Sequence, residues 1–345
     1  MITALRALEP HELQSFTNTL VKEVVARVTD KIPHLESSVA VAELSVALHY
    51  VLDTPQDVLI WDVGHQGYIH KALTGRFEAL KTMRQPEGIS GFLKRDESPY
   101  DFFGAGHAST SISALTGVCI ADTAVGLIRN KVAVIGDGSL TGGQSFEALN
   151  HLGALQADCL VVLNDNDGSI DSTMGTLHAR NGYKAYFQSL GFTYFEEKEG
   201  NNAEKLVGAL KMAIKVPGPK VLRIHTVRPT LEPPKDYSKA TSFQWYAAEK
   251  MEQILSKHPQ LIMLSPAMFA SSGFGPLRAK FPSQLLDTGI TEPHAITTAA
   301  GIVAAGGKAW VHIYSTFLQR GFDQVVHDVA LQGLPVVFFV GRAGF

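Results

Sequence analysis

The stretch VAVIGDGSLTGGQSFEALNHLGALQADCLVVLNDNDG (132–168) reads as a buried strand, a glycine-rich turn, a helix and a second buried strand. Both apolar runs are short and uninterrupted, as strands covered on two faces of a parallel sheet require. The first ends in Gly136-Asp137-Gly138 and the second in Asn164-Asp165-Asn166. Neighbouring strand ends of one parallel sheet lie side by side, so Asp137 and Asn166 are expected to meet. A carboxylate, an amide oxygen and a nearby backbone carbonyl make a hard-oxygen site suited to Mg²⁺ with a diphosphate. Gly138 and Ser139 leave backbone N–H groups at the following helix start, where an anion is welcome. A Gly-Asp-Gly alone is more often a plain turn. The third glycine of a dinucleotide fingerprint and the Gly-Lys-Ser/Thr of a phosphate-binding loop are both absent.

Outward from this stretch the same alternation continues. Further buried strands are expected at 58–64, 220–226, 261–265, 285–290, 309–315 and 335–340. Helices are expected at 11–29, 37–52, 109–128, 143–154, 203–215, 243–257, 293–306 and 319–332. This is an α/β chain of parallel sheets flanked by helices. The aperiodic segment RPTLEPPKDYSKATS (228–242) reads as a linker, dividing the chain into 1–229, a linker at 230–242, and 243–345. The last 100 or so residues close on a predicted buried strand with no following helix, so the second domain reads as incomplete.

Composition sets outer bounds. The 345 residues suit two domains, with 45% hydrophobic and 18% charged residues and a formal net charge of −3. Disorder, a collagen and a disulfide scaffold are excluded. Nothing points to nucleic acid or a membrane. The amino terminus lacks the features of a secretory signal. Cys119 and Cys159 read as buried, reduced thiols, consistent with the cytoplasm.

The GDG motif, followed 29 residues after Asp137 by Asn166 within Asn-Asp-Asn, matches the signature of thiamine diphosphate enzymes. With LSVALHYVLDTPQDVLIWDVGHQ (44–66), FGAGHASTSISA (103–114) and YSTFLQRGFDQVVHDVALQGLPV (314–336), the sequence resembles the 1-deoxy-D-xylulose-5-phosphate synthase family of transketolase-like enzymes over nearly its whole length. The resemblance implies a thiamine diphosphate-binding, transketolase-like fold with a diphosphate-binding first domain and a pyrimidine-binding second one. It also implies the cofactors thiamine diphosphate and Mg²⁺, the substrates pyruvate and D-glyceraldehyde 3-phosphate, and a homodimer. The implied reaction is decarboxylative carboligation to 1-deoxy-D-xylulose 5-phosphate, a precursor for isoprenoids, thiamine and pyridoxal.

Residue by residue, the resemblance makes Asp137, Asn166 and the carbonyl of Gly168 the metal ligands. Glu292, in TEPHA after LLDTGI, becomes the carboxyl at N1′ of the aminopyrimidine; alone it would read as a helix-dipole partner. Cofactor contacts are expected from His65, Gly106, His107, Ala108, Gly138, Ser139, Asn166, Glu292 and Phe317. His65 and His107 are expected to meet the diphosphate or the reacting carbonyl oxygen, His34 to assist proton transfer, and Tyr314 and Arg320 to border the pyrimidine and the acceptor. Arg320 and Arg342 are expected to bind a substrate phosphate, surface ion pairs being the alternative for both. His49, His70, His151, His178, His225 and His258 are expected to be structural or solvent-facing.

Four departures accompany the resemblance. The segment Gly168–Gly182 is shorter than the family's insertion. VRPTLEPP (227–234) replaces a glycine-rich segment and puts Leu231 where a tyrosine is expected. Gly168 replaces a methionine, and the chain stops before the acceptor-site His and Asp that follow Arg-Ala-Gly. Two other readings therefore stand beside the synthase: a paralogue or fragment binding the cofactor or a partner without turnover, and a ketolase with a different acceptor.

Overall fold

A computed structural model describes residues 1–28, 35–166, 175–229 and 243–344. The chain divides into two compact units, one of Met1–Asn166 with Leu177–Pro233, the other of Asp167–Thr176 with Pro234–Phe345.

The first unit is built on a five-stranded sheet of order β1-β2-β3-β5-β4, with β1 Val58–Trp61, β2 Lys131–Gly136, β3 Cys159–Asp165, β4 Thr193–Glu197 and β5 Pro219–His225. All its ladders are parallel. Side chains alternate across it with the period of two that a pleated strand imposes. Leu59, Trp61, Val132, Val134, Leu160, Val162, Leu222 and Ile224 face one core, against helices α1 (Leu13–Arg27), α2 (Ala42–Val51), α3 (Tyr68–Lys71) and, further along, the helix Ala203–Ile214. Val58, Ile60, Ala133, Ile135, Val161, Leu163 and Val221 face the other, against α4 (Ser111–Val125), α5 (Gly143–Leu155) and α6 (Tyr183–Ser189). Both sheet faces are covered, which is why these strands read as continuous apolar runs. Gly126, at φ 66°, ends α4 in the left-handed conformation that suits glycine. Ala203–Ile214, α7, is capped by the Asn202 side chain on the Lys205 amide.

The second unit carries a four-stranded parallel sheet of order β7-β6-β8-β9: β6 Leu261–Ser265, β7 Leu285–Asp287, β8 Lys308–Tyr314 and β9 Val337–Gly341. Helix α8 (Phe243–Lys257) packs with Leu261, Met263 and Leu285 on one side. Helix α9 (Glu292–Ala304), with Pro293 in its first turn, packs with Leu264, Val311 and Ile313 on the other.

Three expectations need correction. β4 (TYFEE) has no counterpart among the expected strands: it is an edge strand with exposed and half-buried residues, so it lacks an apolar run. The helix expected at 319–332 is broken into a 3₁₀ turn, a short α segment and a π segment at Val325–Ala330. β9, expected as a buried strand, lies at the edge of its sheet, with Val337 and Val340 exposed.

Candidate functional site

In the first unit the functional candidates gather where β1, β2 and β3 end. The register sets Gly136 opposite Asn164, so Asp137 leaves β2 beside the Asp165–Asn166 end of β3. Asp137 is 2% exposed and opens the one-turn helix Asp137–Leu140, in which Gly138 and Ser139 are also buried. Asn164 accepts a hydrogen bond from the Thr226 hydroxyl at 2.7 Å, tying β3 to the end of β5. Asp165 accepts two hydrogen bonds from Arg223 on its Oδ2, at 2.8 and 2.5 Å.

Asp62, just past β1, organises the adjoining loop. Its Oδ1 accepts the Ser109 amide at 2.8 Å and its Oδ2 the Ser111 amide at 3.0 Å. Burial raises the Asp62 carboxyl above its ordinary range, although these amides oppose the shift. Ser109 lies at φ 72°, and its hydroxyl donates to the Ser139 carbonyl at 2.6 Å. Through these bonds the segment Gly106-His107-Ala108 is held next to the Gly138–Ser139 turn. Gly106 is exposed, His107 half-buried and Ala108 buried. His65 is half-buried in the 3₁₀ turn Gly64–Gln66, its carbonyl accepting the Ser38 hydroxyl at 2.5 Å. A Cβ on Gly64 would lie 2.9 Å from the Leu93 amide nitrogen, so the close approach of the 92–93 backbone needs glycine here.

The fit of a divalent cation can be tested on this geometry. The Asn166 Oδ1 is buried and has no hydrogen-bond partner among the described residues, the condition of an oxygen that a cation would satisfy. A buried carboxylate and a buried amide oxygen at the ends of neighbouring strands are donor types that suit Mg²⁺. Gly168, the third expected ligand, lies outside the described residues, as do His34 and Leu231. His178, expected to be structural or solvent-facing, is half-buried and lies beside Asp137. A ligand atom from each of Asp137, Asp165 and His178 lies within 4.8 Å of the others.

In the second unit Glu292 is the first residue of α9 and 2% exposed. Burial raises its carboxyl above the ordinary range, and the Arg320 guanidinium, 3.6 Å from Oε2, opposes that only in part. Arg320 therefore does form an ion pair, a largely buried one with Glu292. Tyr314 ends β8, and its ring stacks on Phe317 at 6.4 Å with its hydroxyl 2.8 Å from that of Ser271. Arg342 is exposed and lies over the Tyr314 ring at 4.1 Å, a cation–π arrangement. Sequence reasoning passed over His312. It is buried and lies between 5 and 6.5 Å from the rings of Phe269, Phe274 and Tyr314, with Ser265 Oγ 3.2 Å from its Nδ1. Burial lowers its pKa to about 4.

Comparison with known proteins agrees with this architecture. Residues 1–182 match the family model for 1-deoxy-D-xylulose-5-phosphate synthase. Residues 119–253 match that for the transketolase thiamine diphosphate binding domain, and 240–345 that for the transketolase pyrimidine binding domain. Among solved structures, transketolase from Leishmania mexicana superposes with a TM-score of 0.56 at 18% identity, covering 96% of this chain and 68% of its own. Transketolase from Campylobacter jejuni gives 0.55 at 15%, covering 96% and 69%. The fold is thus that of the transketolase-like, thiamine diphosphate-binding proteins. Within that class, the chain belongs to the 1-deoxy-D-xylulose-5-phosphate synthase family. The 1-deoxy-D-xylulose-5-phosphate synthases of Alkalilimnicola ehrlichii and Chlorobaculum tepidum are 39% and 38% identical over 99% of this chain. The chain spans 64% and 65% of their lengths.

Proposed function

We propose that this chain is a transferase of the transketolase class, condensing pyruvate with D-glyceraldehyde 3-phosphate to give 1-deoxy-D-xylulose 5-phosphate and CO₂. The product would feed isoprenoid, thiamine and pyridoxal synthesis. The observation that carries the reading is the joint presence, in a chain of this family, of the Asp137–Asn166 pair and the buried Glu292 carboxyl. Thiamine diphosphate, when bound, supplies the electron sink for decarboxylation and carboligation.

The chain's own residues have distinct tasks. Asp137 and Asn166 Oδ1, with the Gly168 carbonyl, hold Mg²⁺ for the diphosphate. The Gly138 and Ser139 amides, Gly106, His107 and Ala108 receive the diphosphate itself. Glu292 holds a proton at N1′ of the aminopyrimidine, a task suited to a carboxyl whose hold on its proton burial raises. Tyr314 and Phe317 wall the aminopyrimidine ring with stacked aromatic faces. His65 and His34 serve the substrate carbonyl and its proton, and Arg320 and Arg342 the acceptor phosphate. Homodimerisation and a cytoplasmic location complete the proposal, both on the family resemblance.

Isothermal titration of thiamine diphosphate with Mg²⁺ into the chain, beside Asp137→Ala, tests the reading. Micromolar binding by the wild type, lost in the variant, is the expected result. CO₂ release from pyruvate that rises on adding D-glyceraldehyde 3-phosphate is expected next. Binding without CO₂ release would move the protein to the class of non-catalytic cofactor binders. No binding by a folded chain would remove the cofactor reading altogether.

A further inference from the structure

The oxygen-only cation site read from the sequence leaves His178 without a purpose, yet the structure brings an atom of its imidazole within 4.8 Å of carboxylate oxygens from Asp137 and Asp165. We propose that the cation site of the first unit is a mixed nitrogen–oxygen site, with His178 the ligand that turns its preference from Mg²⁺ toward a borderline divalent ion of the Co²⁺ type. The inference deepens the proposed function and rests on its placing a cation at Asp137.

Three features support it. First, the Tyr183 hydroxyl lies 3.1 Å from His178 Nδ1. In the tautomer that donates Nδ1–H to that oxygen, Nε2 is the nitrogen that would face an ion, the usual outer arrangement behind a metal-bound imidazole. Second, that outer arrangement is shared with the carboxylate. The Arg223 guanidinium lies 4.6 Å above the buried Tyr183 ring and holds Asp165 by Oδ2. One arginine thereby orients the partner of the imidazole and one carboxylate, and offsets part of the negative charge gathered there. Third, the residue following Asp165 supplies the buried Asn166 Oδ1, which has no hydrogen-bond partner among the described residues. Two carboxylates, an amide oxygen and an imidazole make a donor set in which the nitrogen favours the later first-row ions, whereas Mg²⁺ favours oxygen and retained water.

The test titrates Co²⁺ and, separately, Mg²⁺ by calorimetry into the metal-free full chain without thiamine diphosphate. Wild type is compared with His178→Ala, Tyr183→Phe and Asp137→Ala, and circular dichroism and unfolding midpoints check each fold. His178→Ala is expected to weaken Co²⁺ about tenfold or more and Mg²⁺ less than about threefold, with Tyr183→Phe moving Co²⁺ in the same direction by less. A merely structural role would weaken both ions alike, and equal losses, or no loss of Co²⁺ affinity, would overturn the proposal. Asp137→Ala is expected to weaken both ions; unchanged binding there would place the cation elsewhere and overturn this inference too. If Co²⁺ binds through His178 while thiamine diphosphate does not bind the wild type, the cofactor reading falls and the mixed-ligand site stands. Should His178→Ala misfold, the isosteric polar variant His178→Asn, read by the same ratio of the two ions, decides.

Discussion

Two buried carboxylates, Asp101 in the first unit and Glu292 in the second, are almost equally removed from water and shifted in opposite directions. Asp101 accepts two hydrogen bonds from Arg76, each at 2.7 Å, one from His70 Nε2 at 3.1 Å and one from the Lys94 amide at 2.9 Å. Burial alone would raise its carboxyl, but the hydrogen bonds from His70 and Arg76 hold it well below the usual carboxylate range. The network runs on: His70 Nδ1 meets His49 Nε2 at 2.9 Å, and Glu97 takes both Arg76 and Lys71. Burial holds both imidazoles below their ordinary pKa. Glu292 has instead only its own backbone amide and a guanidinium at 3.6 Å, beyond hydrogen-bond reach, to oppose desolvation, and burial prevails. Desolvation common to both decides nothing; the number and quality of partners separate a carboxylate locked as an anion from one poised to carry a proton.

The sharpest way to break this contrast is Arg76→Ala. It leaves Asp101 and Glu97 buried without their guanidinium and is expected to cost about 3–5 kcal/mol in denaturant unfolding. Arg320→Ala, the matching deletion in the second unit, is expected to cost little and to push the Glu292 carboxyl higher still. Equal losses would erase the distinction.

His312 extends the comparison to a buried base without a charged partner among the described residues. Its pKa falls from an ordinary 6.5 to about 4, so its neutral form stabilises the fold above pH 6.5 and that contribution is lost as pH falls through 4. His312→Phe, which keeps an aromatic ring beside Phe269 and Phe274, is expected to flatten the acid limb of stability by about 3 kcal/mol across that window. An unchanged acid limb in stability measured against pH would show that the imidazole is solvated.

The smallest effect on stability is expected from Glu292→Gln. A raised carboxyl favours the fold below the ordinary glutamate pKa and loses that contribution as pH rises through its higher folded value. The variant is therefore expected to match or slightly exceed wild-type stability at pH 7, with the advantage disappearing in acid. Under the proposed function it also abolishes turnover. A clear loss of stability at pH 7 would mean that Glu292 is held as an anion, like Asp101.

How much of this was legible in the sequence follows from the range over which each contact forms. Strand ends and the turns after them are local, so strand–turn–helix segments point to Asp137 and Asn166, whereas Glu292 stands out only through the family resemblance. The doubly covered strands β1, β2, β3 and β5 stand out as apolar runs, whereas β4, half solvated at an edge, carries no such signal. The Asp101 network is illegible because charged stretches such as KRDES (94–98) look the same whether they face water or fold inward. The roles of His178 and the Arg320–Glu292 pair escape for a related reason: each depends on a tertiary approach that no periodicity encodes.

The parallel sheet of the first unit has a consequence for the time course of folding. Asp57, at the threshold of β1, bonds Asn130 at the threshold of β2, 73 residues away. β3 likewise finds β5 only across the whole of α6, β4 and α7. Closing such loops costs entropy before any ladder bond rewards it. The β2–β3 and β4–β5 pairs, joined by shorter crossovers, are the ones positioned to form first. The strand ends that gather Asp62, Asp137 and Asn166 come together only when the slower β1 pairing is made, so the site is a late product of folding.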